Sequence, residues 1–184
     1  MELKASTIKK VVVLGPESTG KSTLCRMLAD HFNTLWCPEY AREYLLKHGT
    51  DYSFDDLLTI AKGQIALEET YLQRTAVSAS NSDLLIIDTD MYVMKVWCEY
   101  VFNDCHNWIL NQITERRYDL YLLCRPDLPW VKDGLREYPD EKPRQELYHI
   151  YKDLMTAQAV PWAEVYGDYD ERFKHAIAAV QAID

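Results

Sequence analysis

The stretch Gly15-Pro16-Glu17-Ser18-Thr19-Gly20-Lys21-Ser22, followed by Thr23, decides how this chain is read. It fits G-x-x-x-x-G-K-[ST], in which glycines let successive backbone N–H groups turn inward around phosphate oxygens. Its position matters as much as its pattern. Residues 10–14 are Lys-Val-Val-Val-Leu, a continuous apolar run of the kind a strand shows when helices cover both faces. From Lys21 onward Leu24, Met27, Leu28 and Phe32 recur at helical spacing. Strand, loop and helix N-terminus therefore follow in the order a phosphate site needs, and the helix adds its partial positive charge. Lys21 is expected at the β- and γ-phosphates of a nucleotide, and the Ser22 hydroxyl on Mg²⁺. Gly15, Glu17, Ser18, Thr19, Gly20 and Thr23 complete the expected nucleotide site.

Beyond this motif, short β-rich runs at 34–37, 84–87, 118–124 and 161–166 alternate with longer helical patterns. That alternation predicts an α/β three-layer sandwich with a five-stranded parallel sheet, the P-loop NTPase fold, in a single domain. A helix is expected over 39–48 with Gly49 behind it, and another from Ser53, whose spacing to Asp56 makes a capping box, to about Ala79. Gly63 inside that helix costs about 1 kcal/mol relative to alanine, which points to close packing or a ligand. One or two helices fill 92–115, and Phe173, Ile177 and Val180 share a face of the last helix. Residues 125–144 hold four prolines and Gly134, and read as a mobile loop leading into a helix that ends near Gln158; the lid is expected over about 125–146.

Bulk properties narrow the function classes. A chain of 184 residues buries about 70% of its unfolded surface and needs neither disulfides nor structural metal. A formal charge of −9 argues against nucleic acid as a partner. The five cysteines are odd in number and contain no C-x-x-C pair, as expected of free thiols in a reducing compartment. The histidines show no metal-ligand spacing. Residues 11–14 are too short a run for a signal sequence or a membrane span, so the expected location is cytoplasmic.

Three further groups carry chemistry. Asp88-Thr89-Asp90 ends the third strand run, where a carboxylate either faces Mg²⁺ and substrate or caps the next helix. The residue after Asp88 is threonine rather than a water-activating glutamate, and no N-K-x-D motif is present; both features favour a transferase over a motor ATPase or a GTPase. Glu39-Tyr40-Ala41-Arg42-Glu43 offers a carboxylate for an acceptor hydroxyl, an aromatic face for a base and a cation for developing charge. Its plainer reading is a surface helix pair between Glu39 and Arg42. Arg125, Lys132, Arg136 and Arg144 stand among the prolines of the expected lid, either as closing cations or on a solvated loop. Trp130 fits a lid anchor or simple packing.

Together, G-P-E-S-T-G-K-S at 15–22, E-Y-A-R-E at 39–43, G-Q at 63–64, I-D-T-D at 87–90, W-V-K-D-G-L-R at 130–136 and the segment 169–172 resemble the ribosylnicotinamide kinase domains of the NadR family over nearly the whole chain. The resemblance implies ATP- and Mg²⁺-dependent transfer to the 5′-hydroxyl of nicotinamide riboside. It implies Lys21, Asp88, Asp90, Glu39 and Arg136 as catalytic residues, with Ser22 and Asp88 at the metal. Glu39 or Asp90 would hold the ribose, Tyr40 would face the nicotinamide ring, and Arg42 and Gln64 would lie at the acceptor. Arg144 would be a second lid cation, and Tyr169 and Arg172 would lie near adenine. The H-x-G-H-type nucleotide site and DNA-binding region of that family's larger members are not found in these residues, so neither NAD synthesis nor repression is expected. Two other readings stand beside this one: a kinase for another nucleoside or small metabolite, and an ATP-binding regulatory module without transfer.

Overall fold

A computed structural model describes residues 8–78 and 82–183. Val11 and Val13 point to one side of the first strand and Val12 and Leu14 to the other, and all four are fully buried. That is what period-2 alternation dictates for a strand roofed on both sides. The elements follow in the order β1 (Lys9–Leu14), α1 (Lys21–His31), β2 (Leu35–Cys37), α2 (Tyr40–His48), α3 (Phe54–Ala76), β3 (Leu84–Asp88), α4 (Met91–Phe102), α5 (Asn107–Glu115), β4 (Leu120–Cys124), α6 (Glu141–Ala157), β5 (Trp162–Val165) and α7 (Tyr169–Gln181). The five strands pair in parallel in the order β2-β3-β1-β4-β5. Val13 aligns with Asp88 on one side and with Leu122 on the other.

Val11, Val13 and Ile86 pack on Leu24 and Leu28 of α1 and on Ala176 and Val180 of α7. Val12, Leu14, Ile87 and Leu123 pack on Val93 and Val96 of α4 and on Leu147 and Tyr151 of α6. A third cluster joins α2, α3, α4 and α5 through Ala41, Ile60, Met94 and Ile109. Chain order reverses direction across β1, with β3 and β2 on one side and β4 and β5 on the other. The carboxyl ends of β1, β3 and β4 therefore converge at the switch point where ligands of open parallel sheets sit.

Expected boundaries held to within a few residues, with two informative differences. The capping box of α3 forms, with the Asp56 N–H donating to the Ser53 hydroxyl at 3.3 Å and the Ser53 N–H to the Asp56 carboxylate at 2.8 Å. That helix stops at Ala76, and the expected end at Ala79 lies outside the described residues. The second difference is α6, which begins at Glu141, before the end of the loop read from its prolines. Pro143 sits in the first turn, where the missing N–H has no intrahelical partner to lose, so it permits the helix.

Candidate active site

Residues 15–20 turn sharply from β1 into α1. Gly15 has φ 139°, and a Cβ there would stand 2.7 Å from the Cys124 carbonyl oxygen, so only glycine passes this close to β4. Gly20 caps α1 in the left-handed region, with φ 77°. Thr19 is buried and donates to the Pro16 carbonyl at 2.8 Å, and Lys21 Nζ donates to the same oxygen at 2.8 Å. The outer side of the loop is pegged by Arg172, which is 1% exposed. Its guanidinium donates to Thr19 O at 2.9 Å, Gly167 O at 2.8 Å, Arg125 O at 2.8 Å and the Asp127 carboxylate. The expectation of Arg172 at adenine is therefore corrected: its nitrogens are taken by the loop ends that hold the motif in shape. Tyr169, three residues before it, does line the cleft.

The floor of the site is Asp88, at the end of β3 and fully buried. Ser22 Oγ donates to Asp88 Oδ2 at 2.5 Å and Thr89 Oγ1 to Oδ1 at 3.5 Å. Burial raises the Asp88 pKa, against the pull of Lys21 and the Ser22 hydroxyl. Hydroxyl and carboxylate oxygens side by side, with the carboxylate short of positive charge, form a donor set suited to Mg²⁺, which takes one or two protein oxygens and fills its shell with phosphate and water. Asp90 is a different matter. Its carboxylate accepts from the Tyr92 and Val93 N–H groups at 3.0 and 3.4 Å and caps α4. It is 1% exposed and does not line the cleft. Of the two roles open to Asp90, the structure supplies the cap, and its assignment to ribose is corrected.

Glu39 stands at the N-cap of α2 without a side-chain capping bond, which leaves its carboxylate free to face the cleft. Burial first, then the charge of Asp88, push its pKa up to about 7, against Lys21 and Arg42. Ser22, Asp88, Glu39, Arg42 and Arg136 line one recess. Tyr40, expected at a substrate ring, points the other way. Its ring fills the space above Gly63, where a Cβ would come 2.1 Å from Tyr40 Cε1. Gly63 thus serves close packing. Gln64 is buried on the same side, accepting from the Tyr40 N–H at 2.8 Å and donating to Pro38 O at 3.4 Å. It shapes the turn that presents Glu39 and, contrary to expectation, does not line the cleft.

The segment after β4 folds across the cleft. Arg136 lines the cavity and donates to Val131 O at 2.5 Å. Arg42 pairs with Asp133 at 2.8 Å, joining α2 to the lid. Arg144 is not a mobile cation: it lies in the first turn of α6, 5% exposed, donating to Ser18 O at 3.3 Å and Leu128 O at 3.2 Å. Between lid and sheet is a cavity of about 260 Å³, near the lower end of the roughly 300–1,000 Å³ range of small-molecule clefts. Trp97 and Tyr100 of α4, Tyr138 of the lid and Tyr151 of α6 give it an aromatic wall. The sequence did carry a signal for α4, since Val93, Val96, Trp97 and Tyr100 follow i, i+3, i+4, i+7. That stripe reads as core, and only the lid above it makes part of it a cavity wall. Among the described residues no cluster of His, Cys, Asp and Glu suits a further metal, and no helix is long and apolar enough to cross a membrane.

Comparison with known proteins agrees with this fold. The chain is 32% identical over 185 residues to the trifunctional NAD biosynthesis/regulator protein NadR of Escherichia coli, a match covering 98% of this chain and 44% of that protein. It therefore spans less than half the length of this curated relative. A crystal structure of NadR protein in complex with NR superposes with TM-score 0.78 at 27% identity, over 96% of this chain and 50% of the other. A second, NadR in complex with NAD and AMP-PNP, gives TM-score 0.72 at 26% identity, over 96% and 49%. The AAA domain family matches residues 10–172, from the first strand through the phosphate loop and lid to the Arg172 peg. The chain belongs to this AAA domain family.

Proposed function

We propose that this chain is an ATP-dependent kinase that converts nicotinamide riboside to its mononucleotide. The observation that carries the proposal is the shared lining of one cleft. Lys21 and Ser22 of the phosphate loop, the Glu39 carboxylate and the Arg136 cation meet there with an aromatic wall sized for a planar base. The NadR relatives supply the substrate class, since one is named for NAD biosynthesis and its structural counterparts hold NR, NAD and AMP-PNP. The free thiols of the described chain fit a reducing compartment such as the cytoplasm.

In this reading the acceptor nucleoside lies with its ring against Trp97 and Tyr138 and its 5′-hydroxyl at Glu39. Glu39 takes the hydroxyl proton as the oxygen bonds to the γ-phosphorus, and the bond to the bridging oxygen of ADP breaks. Lys21, the inward N–H groups of the loop and Arg136 bear the charge on the transferring oxygens. Mg²⁺, held at Ser22 and Asp88, would neutralise phosphate charge. The lid excludes water from the transfer.

A panel of nucleosides with ATP and Mg²⁺, read out by ADP release and by product mass, tests the proposal. Nicotinamide mononucleotide as the main product supports it. Turnover confined to another nucleoside refutes the acceptor and leaves a kinase. Tight ATP binding with no turnover on any acceptor refutes the enzyme.

A further inference from the structure

The first outward-facing side chains of the phosphate loop are engaged by the lid. Glu17 Oε2 accepts from the Glu137 N–H at 3.0 Å, and Oε1 from the Tyr138 N–H at 2.5 Å. Beside it Ser18 Oγ accepts from the Val131 N–H at 3.0 Å. Residues 128–140 contain no helix or strand, so their N–H groups depend on such partners or on water. A carboxylate accepting two successive amides makes charge-assisted bonds, about twice as strong as neutral ones. Lys21 is directed elsewhere, its ammonium donating to Pro16 O.

What hangs from those two amides gives the contact its consequence. The Tyr138 ring meets Tyr100 of α4 edge to face, with centroids 5.6 Å apart at 83°, and both line the cavity. The Glu137 side chain accepts from Tyr52 Oη at 3.0 Å. Arg136, immediately before them, lines the recess that holds Ser22 and Asp88. One carboxylate in the phosphate loop thus fixes the segment that bears a lid cation on one side and a piece of the aromatic wall on the other.

We infer that Glu17 is a positioning residue that latches the lid to the phosphate loop and thereby sets the acceptor side of the cleft. Its catalytic consequence rests on the kinase reading above. Glu17 was expected in the nucleotide site, but both oxygens of its carboxylate are taken by lid amides, so only its backbone is left to face phosphate. In the kinase reading the phosphates are held by loop N–H groups and by Lys21, none of which needs that carboxylate. Losing the latch leaves nucleotide binding in place, frees Arg136 and Tyr138, and admits water to the γ-phosphate. Glutamine is the sharp probe, since its one carbonyl oxygen accepts from one N–H while its amide nitrogen faces the other donor with a donor.

The experiment compares Glu17→Gln with wild type in two arms. In nucleotide-free protein, amide hydrogen exchange at residues 137–138 is expected to speed up in the variant, whether or not any acceptor is turned over. In steady state with ATP, Mg²⁺ and the acceptor, kcat/KM for the acceptor should fall about 10- to 100-fold, with ATP Kd little changed and ADP released in excess of phosphorylated product. Wild-type exchange rates at 137–138 in the variant overturn the inference. So does an ATP Kd that weakens as much as acceptor kcat/KM while ADP and product stay one to one. If wild-type protein phosphorylates nothing, the kinase reading fails, and the exchange arm still judges the latch.

Discussion

Replacing Glu39 with glutamine removes a carboxylate that faces the cleft and titrates near neutrality. Burial and the charge of Asp88 raise its pKa from 4.5 to about 7. A base with that pKa is about half ionised at pH 7 and about one-tenth ionised at pH 6, so kcat/KM for the acceptor should fall about tenfold for each pH unit below 7. Glutamine cannot take the proton. The variant should therefore lose about 10²- to 10⁴-fold in rate and show no inflection near pH 7. Stability moves the other way. The folded protein binds this proton more tightly than the unfolded chain does, so the contribution of Glu39 to stability is greatest below pH 4.5 and is lost as pH rises through about 7. The side chain makes no capping bond whose loss would mask this. Thermal melts should show wild type falling progressively behind Glu39→Gln between pH 5 and pH 8. A coupled ADP-release assay across the same range measures the rate. A variant within tenfold of wild type, or a wild-type profile whose acid limb lies below pH 5, refutes Glu39 as the base.

Other outcomes follow from the same contacts. Asp90→Asn preserves the cap on α4 and should keep activity within a few-fold, whereas Asp90→Ala should cost about 1 kcal/mol in chemical denaturation; a large loss of kcat in the asparagine variant would return Asp90 to the chemistry. Lys21→Ala should lower kcat/KM by about 10²-fold or more through loss of a cation at the transferring phosphate, measured by single-turnover product formation. Gly63→Ala places a methyl 2.1 Å from the Tyr40 ring, where overpacking costs about 1–3 kcal/mol against a helix-propensity gain near 1. Calorimetry should show a Tm lower by a few degrees, and the Gly63→Ala, Tyr40→Ala double variant should recover part of it.

The sequence by itself determined the fold and the place in it of the turn from β1 into α1. Val11 to Leu14 followed by the glycine-lysine motif is local chemistry: an apolar run specifies a covered strand, and Gly15 and Gly20 occupy the backbone angles the loop requires. The nearness of Ser22 and Asp88 follows from the same local chemistry, since Ser22 opens the helix that follows β1 and Asp88 ends β3, the strand paired in parallel with β1. What the tertiary structure alone decided is the direction in which side chains point from helix ends. Tyr40 and Glu39 are neighbours in sequence, and only the packing of α2 on Gly63 and Gln64 turns the Tyr40 ring against α3 and leaves the Glu39 carboxylate in the cleft. The family resemblance implied Arg144 as a lid cation and Arg172 near adenine; burial against the carbonyls of Ser18, Leu128, Thr19 and Gly167 makes them braces instead. The aromatic wall was hidden because a helix stripe of Val93, Val96, Trp97 and Tyr100 has the same period whether it meets a neighbouring helix or a substrate, and only the lid, held by Glu17 and Ser18 of the phosphate loop and by Arg42 of α2, turns that stripe into a cavity wall.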